Sequence, residues 1–217
     1  MRLNDFETRL VNHPLRAWWQ RFYEMPKLKR LGGELPGGAW SGNPQSGGHV
    51  LEVGCGQGPG IRPLFSQFGA ESVDAFDSDE TMVAKASQRF QEHLQDGKKG
   101  QGQLERLSLW QGSVTEIPKP DAHYDAVFSF NMLHHVEDWQ AGVKEISRVL
   151  KPGGKFYAHE SLRDFIHHPI IRRVMAHPME NRFDGMEFLE TLKKVGLQPV
   201  HPVKEARYFV WVVSVRE

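Results

Sequence analysis

The sequence predicts an α/β domain on a seven-stranded, mainly parallel sheet whose last strand runs antiparallel, with a helical cap ahead of it. Three observations carry this. A short apolar run, Val50-Leu51-Glu52-Val53, enters a turn holding Gly54, Gly56, Gly58 and Gly60. Strand-like and helix-like stretches then alternate, which marks a parallel sheet with crossover helices. The chain closes on two strand-like stretches with only a few residues between them, too short a break for anything but an antiparallel pair.

Taken in order, Leu15, Trp18, Trp19 and Phe22 fall at helical spacing, with Pro14 placed as a first helical residue and Arg16, Gln20, Arg21 and Glu24 on the other face. Phe6 and Leu10 suggest an earlier turn of helix, and Pro26 should interrupt the pattern. This stripe either packs on the main domain or acts as a lid whose aromatics wall a substrate pocket; one helix can do both. Leu31–Gly48 is too rich in Gly and Pro for a regular element. The expected division is a helical lid over 1–31, a linker over 32–48, tacked down by Trp40, and a main domain over 49–217.

In that domain the first strand is His49–Val53, and the helix after the glycine turn buries Ile61, Leu64, Phe65 and Phe68. Ser72–Phe76 is the second strand, ending at Asp77; Ser78 is placed to cap a helix with Met82, Ala86, Phe90 and Leu94 on one face. A polar loop, 96–103, leads to the third strand, Leu104–Leu109, and Tyr124–Phe130 is the apolar fourth. Asp138 caps a helix carrying Trp139, Val143, Ile146 and Leu150, stopped by Lys151-Pro152-Gly153-Gly154. Lys155–His159 is the fifth strand and Ser161–Arg182 is irregular. Asp184 and Glu187 form a capping box for a helix that ends at Gly196, before strands at Leu197–Val203 and Arg207–Val215.

Composition narrows the function. Twenty-seven basic residues balance 27 acidic ones among 217, which argues against a nucleic-acid or anionic-membrane partner. No apolar run approaches the roughly 18 residues of a membrane span, and MRLNDFETRL has no apolar stretch of a secretory signal. The single cysteine, Cys55, cannot form an internal disulfide, so a cytoplasmic protein is expected. Glycines in the first turn let a nucleotide-like ligand approach the backbone at the carboxyl edge of the sheet. Asp77 lies 23 positions beyond Gly54, near the roughly 20 at which an acid reaches ribose hydroxyls in dinucleotide folds. An NAD site is the rival reading at this point; the terminal strand pair counts against it.

With these motifs the chain resembles the class I methyltransferases that use S-adenosylmethionine (SAM), over about His49 to Arg216. VLEVGCGQG at Val50–Gly58 resembles the family's first motif, LWQGSVTEIP at Leu109–Pro118 the stretch bordering adenine, and YDAVFSFNMLHHVED with RVLKPGG the small-molecule branch that includes quinone and sterol methyltransferases. The resemblance implies a Rossmann-like sheet and SAM as cofactor. Gly54, Cys55 and Gly56 would lie under its methionine and ribose parts, Glu52 would hold its ammonium, and Asp77 with Ser78 its ribose. Met82 would pack on adenine and Ser113 and Val114 would border it, although Ser113 stands where the family often has an acid. Asn131 and Met132 would line the methionine end.

Methyl transfer from SAM asks mainly for alignment and exclusion of water. A base is needed only if the acceptor must lose a proton. His134, His135 and His159 are the candidates, His134 and His159 foremost, and packing near the methionine is the bland role of the His134-His135 pair. Trp18, Trp19, Phe22, Tyr23 and His135 are expected to line an apolar or aromatic small-molecule acceptor. Asn131-Met132-Leu133-His134 is not the Asn/Asp-Pro-Pro-Tyr tetrad of enzymes that methylate base or glutamine amines. His167, His168 and His177 lack ligand-like partners in sequence, so no metal is expected. A SAM-binding protein without catalysis is the alternative outside enzymes, and the acceptor and oligomeric state are not readable.

Overall fold

The computed structural model of the protein describes residues 14–33, 48–95, 101–174, 180–200 and 204–217. The expected turn at Phe6 and Leu10, the body of the linker with Trp40, and His177 lie outside them.

The N-terminal segment is one continuous helical rod. Helix α1, Pro14–Trp19, passes through a π-helical stretch, Gln20–Glu24, into α2, Met25–Gly33. Met25 N–H reaches back to the Gln20 carbonyl, the five-residue step of a π turn. That wider turn lets the rod continue where Pro26 was expected to break it, since proline in a regular helix meets the carbonyl four residues back.

The expected facing of this rod is reversed. Gln20, Glu24, Met25 and Leu28 are the buried residues, whereas Leu15, Trp18, Trp19, Phe22 and Tyr23 are exposed. The π turn re-phases the helix, so the aromatic stripe of α1 is not continuous with the face that α2 seats on the sheet. Gly32 sits where a Cβ would fall 2.4 Å from the Tyr157 ring, and Lys155 Nζ bonds its carbonyl at 3.1 Å.

The remaining elements are β1 (His49–Val53), α3 (Ile61–Ser66), β2 (Ser72–Asp77), α4 (Glu80–Gln95), α5 (Gln101–Leu104), β3 (Leu107–Gln111), β4 (Tyr124–Phe130), α6 (Trp139–Val149), β5 (Leu150–Ser161), α7 (Arg163–Ile166), α8 (Ile171–Val174), α9 (Gly185–Lys194), β6 (Leu197–Pro199), β7 (Lys204–Ala206) and β8 (Phe209–Arg216). The sheet order is β3-β2-β1-β4-β5-β8-β6, with β7 also on β8. Strands β1 to β5 pair in parallel and β8 runs antiparallel to β5. Placing an antiparallel β8 between β5 and β6 departs from the dinucleotide order.

The expected seven strands form that path, and among the described residues β7 adds an eighth along β8. The penultimate arm is split: β6 pairs with Ser214–Arg216 and β7 with Phe209–Trp211 along the same edge of β8. The third strand starts at Leu107, since α5 occupies the end of the expected loop, and β5 begins at Leu150 by absorbing the Pro-Gly-Gly turn. Asp138 and the Asp184–Glu187 box cap as expected. Ser78 does not: Asp77 Oδ1 takes the Asp79 N–H, and Asp79 caps α4 through the Thr81 N–H at 2.8 Å.

Alternation along the strands divides the core. Leu51, Val53, Val127, Phe156 and Val212 face α6 and α9. Val50, Ala126, Phe128, Tyr157 and Val213 face the N-terminal rod, α3 and α4. Each fully buried large side chain contributes about 1.5–3 kcal/mol. With both faces covered, ligand chemistry is left to the carboxyl edge of the sheet.

Candidate active site

The loop leaving β1 is held open by its glycines. Gly54 and Gly56 have φ of 66° and 53°, the left-handed region that glycine enters without strain. A Cβ on Gly54 would fall 2.0 Å from Met132 Cγ, while one on Gly56 would meet nothing within 4 Å. The backbone at Gly56 thus lies bare under open space. On the inner side Glu52, 2% exposed, presses so close to Gly60 that a Cβ there would sit 2.2 Å from its Oε1. Cys55 is buried, and burial together with the charges of Glu52 and Asp77 pushes its thiol well up, so it is no nucleophile.

Asp77, at the end of β2, closes the other side. Its Oδ2 accepts the Gly56 N–H at 2.8 Å and its Oδ1 the Asp79 N–H at 3.0 Å. Each oxygen keeps an acceptor position. Burial pushes this carboxyl up, against the pull of those amides. Gly112 N–H bonds the Asp77 carbonyl at 3.0 Å and Gln111 the Ser78 carbonyl at 3.0 Å, which brings the loop after β3 alongside. There Ser113 Oγ is 2.7 Å from Thr115 Oγ1, and Val114 is buried beside Gly142. Arg148 pins this loop by donating to the carbonyls of Ile117 and Lys119 while Glu145 accepts the Ile117 N–H. Its motif, RVLKPGG, was legible; its task was not.

The loop after β4 is organised by Glu160, whose place at the end of the fifth strand was legible in the sequence and whose task was not. Asn131 takes a φ of 55°, tolerated better by asparagine than by most residues, and its N–H bonds the His159 carbonyl at 2.7 Å. Met132 follows, then a 3₁₀ turn, Leu133–His135. Glu160 Oε1 accepts from Ser129 Oγ at 2.6 Å and from the N–H groups of Met132 and Leu133 at 3.2 Å. Oε2 lies 3.0 Å from His134 Nδ1. Burial pushes the Glu160 carboxyl up, and these donors oppose it. Arg182, from the irregular stretch, is buried and donates to the carbonyls of His134 and Val136.

On the opposite face of β5, His159 is 4% exposed. It stacks on Trp211 at 3.7 Å, and its Nδ1 lies 3.2 Å from Glu24 Oε1 and 3.2 Å from Asn131 Nδ2. Tyr23 meets Trp211 edge-on, and Lys27 sits over its other neighbourhood, 3.7 Å from the ring centre. Spacing puts Glu24 with Gln20 on the face opposite the aromatic stripe, and both side chains are buried.

The structure therefore places Glu52, Gly54, Cys55, Gly56, Asp77, Ser78, Ser113, Asn131, Met132, His134 and His135 at the carboxyl ends of β1, β2, β3 and β4, with His159 near the end of β5. Met82, 9% exposed, and Val114 pack into the adjoining walls. Tyr23 reaches Trp211, and Trp18, Trp19 and Phe22 are exposed. Trp18 and Phe22 line a cavity of about 180 Å³ with Gly58, Pro59, Arg62 and Arg89.

Residues 51–158 match the family described as methyltransferase domain. The chain is 28% identical over 165 residues to sterol 24-C-methyltransferase erg6 of Aspergillus fumigatus, covering 72% of this chain and 41% of that one. It is 28% identical over 180 residues to 27-O-demethylrifamycin SV methyltransferase of Amycolatopsis mediterranei, covering 78% and 58%. The chain thus spans less than two thirds of these relatives. A SAM-dependent methyltransferase from Aquifex aeolicus shares the fold, with a TM-score of 0.70 at 20% identity and 97% of each chain covered.

Proposed function

The chain belongs to the class I SAM-dependent methyltransferases, and from that premise we propose that it transfers a methyl group to a small, apolar or aromatic molecule by in-line displacement. The observation that carries this is the bare Gly56 backbone beside the Asp77 carboxylate, with a Gly56 N–H to Asp77 Oδ2 bond of 2.8 Å. A cradle that any Cβ would begin to fill, next to an acid with acceptor positions left for two adjacent hydroxyls, fits the ribose of SAM. Glu52 would hold the ammonium, Ser78 would stand with Asp77 at the ribose, Met82, Ser113 and Val114 would border the adenine, and Asn131 and Met132 the methionine end.

When bound, SAM supplies a methyl group already activated on a positively charged sulfur. What the protein must add is alignment and exclusion of water, which together lower such barriers by up to about 7–11 kcal/mol in well-oriented systems. Glu160 fixes the loop from Asn131 to His135, so His134 acts in this reading as a positioning residue. Where the acceptor must lose a proton, His159 receives it, oriented by Glu24; a carboxylate beside Nδ1 sets the imidazole tautomer and stabilises its charged form.

The acceptor is a small molecule rather than nucleic acid, a reading supported by the zero net charge and by the sterol and rifamycin names of the relatives. No described helix is long and apolar enough to cross a membrane; a cytoplasmic setting rests on the single cysteine. The division into a cap over 1–31, a linker over 32–48 and a methyltransferase domain over 49–217 belongs to the same proposal. It is supported by the buried Met25 and Leu28, which make the cap a packed element.

The test is calorimetric titration with S-adenosylhomocysteine, followed by turnover of SAM with a panel of phenols, quinols and sterols. Saturable binding that Asp77→Ala weakens more than about tenfold, with turnover on at least one acceptor, supports the proposal. No binding, or binding indifferent to Asp77, rejects the site; binding without turnover on any acceptor favours a non-catalytic SAM-binding protein.

A further inference from the structure

At the amino end of the sheet, away from the glycine cradle, three side chains from separate parts of the chain converge. His49 opens β1, Asp74 lies in β2, and His123 immediately precedes β4. One donor atom from each lies within 4.8 Å of the other two, and among the described residues no other group of three His, Cys, Asp or Glu meets in this way. The parallel register explains the meeting: β1 is flanked by β2 on one side and β4 on the other.

Asp74 divides its two oxygens between different tasks. Oδ2 accepts from Tyr124 Oη at 2.7 Å and pairs with Lys119 Nζ at 2.7 Å. Oδ1 faces His49 Nε2 at 3.4 Å, longer than an ordinary N–H···O bond. The His49 and His123 rings meet edge-on at 4.7 Å. Asp74 is 5% exposed, and both imidazoles are half-buried, so the cluster has a fixed floor and a mouth that an ion can enter.

We propose that His49, Asp74 and His123 bind one divalent first-row transition ion of the zinc type, with water completing the coordination. Two imidazole nitrogens and one carboxylate oxygen are a donor set that such ions take. Tyr124 and Lys119 already hold the outer oxygen, as partners behind a ligating carboxylate do. Donors about 2.0–2.2 Å from a tetrahedral ion stand about 3.3 Å apart. The half-buried imidazoles, whose donor atoms lie within 4.8 Å, therefore close by up to about 1.5 Å, within the reach of side-chain rotations. Lys119 brings a like charge near the ion and holds the affinity down. The site ties the start of β1, β2 and the approach to β4 together, far from the methyl-transfer edge, so its role is to brace the sheet.

The test is titration of the full chain with ZnCl₂ by calorimetry, with Co²⁺ absorption as a second probe. One saturable equivalent is expected, together with the visible bands of a four- or five-coordinate nitrogen and oxygen site. His49→Ala and His123→Ala should each weaken Zn²⁺ binding by at least about tenfold while leaving S-adenosylhomocysteine binding unchanged. Lys119→Gln should tighten it, an outcome that a purely hydrogen-bonded cluster does not predict. Absence of a saturable equivalent in the wild type overturns the proposal. So does binding that survives both histidine changes, or that is lost instead in a His167→Ala, His168→Ala variant.

Discussion

Glu160 and His134 are buried together, with Oε2 of the carboxylate 3.0 Å from Nδ1 of the imidazole. The pair joins the end of β5 to the turn after β4, and the same carboxylate takes the N–H groups of Met132 and Leu133. Met132 in turn packs against Gly54. One side chain on β5 thereby sets the shape of the loop on β4 and, through it, the wall of the cradle on β1.

Glu160→Gln keeps the shape and replaces one acceptor oxygen with a donor group. Facing hydrogen-bond donors on the loop, it should cost about 2 kcal/mol, or roughly 4–8 °C of melting temperature for a domain of this size. Affinity for S-adenosylhomocysteine should fall with it. A melting temperature and affinity equal to the wild type would show that the loop does not depend on this carboxylate.

Two glycine substitutions should separate folding from binding. Gly54→Ala drives a methyl into Met132 and should destabilise strongly, with loss of expression or a large drop in melting temperature. Gly56→Ala meets no neighbour, so it should carry only the left-handed backbone cost of about 1–2 kcal/mol. Its methyl would nonetheless stand in the cradle, and S-adenosylhomocysteine affinity should drop more than about tenfold. Unchanged affinity in Gly56→Ala would place the ligand elsewhere.

Cofactor affinity should depend on pH through Asp77. Bound ribose hydroxyls need the ionised carboxylate as acceptor, and burial raises this carboxyl above its ordinary value. Affinity should therefore weaken on acidification sooner than an unperturbed aspartate would allow, and recover as pH rises. The group's contribution to folding has the opposite sign: with a raised folded pKa it is present at low pH and lost as pH rises through that value. Titrations of wild type and Asp77→Asn from pH 8 to 5 check this, because the asparagine variant should lack that component.

The N-terminal rod should divide into two kinds of residue. Trp18→Ala and Phe22→Ala remove exposed side chains and should change stability by less than about 0.5 kcal/mol, acting on the KM for the acceptor if they act at all. Glu24→Gln should lower kcat for an acceptor that must lose a proton by about tenfold or more, shift the pH profile, and leave S-adenosylhomocysteine affinity within about twofold. An unchanged pH profile would exclude Glu24 and His159 as a working pair. Deleting residues 1–30 is a poor probe, since it strips Met25 and Leu28 from the core.

Much of this architecture was legible because it rests on local patterns. Glycine spacing after Val53, alternating strands and helices, and caps at Asp138 and Asp184 depend on residues close in sequence, and each took its expected place. Misreadings came where a tertiary contact outweighed a local preference. Ser78 lost the cap to Asp79 because Asp77 drew in the intervening amide. Pro26 did not end the rod because a π turn accommodated it.

By itself, then, the sequence determined the sheet, the glycine turn at the end of its first strand and the family resemblance, since short-range periodicity and contiguous motifs specify them. Only the tertiary structure decided which polar groups meet. Glu24 with His159, Glu160 with His134, and His49 with Asp74 and His123 are brought together by strand register and by the seating of the rod on the sheet. These partners stand from 25 positions apart, for His49 and Asp74, to 135, for Glu24 and His159. Helix and strand periodicities do not reach across such distances, because what fixes these pairs is the burial of apolar faces elsewhere in the chain.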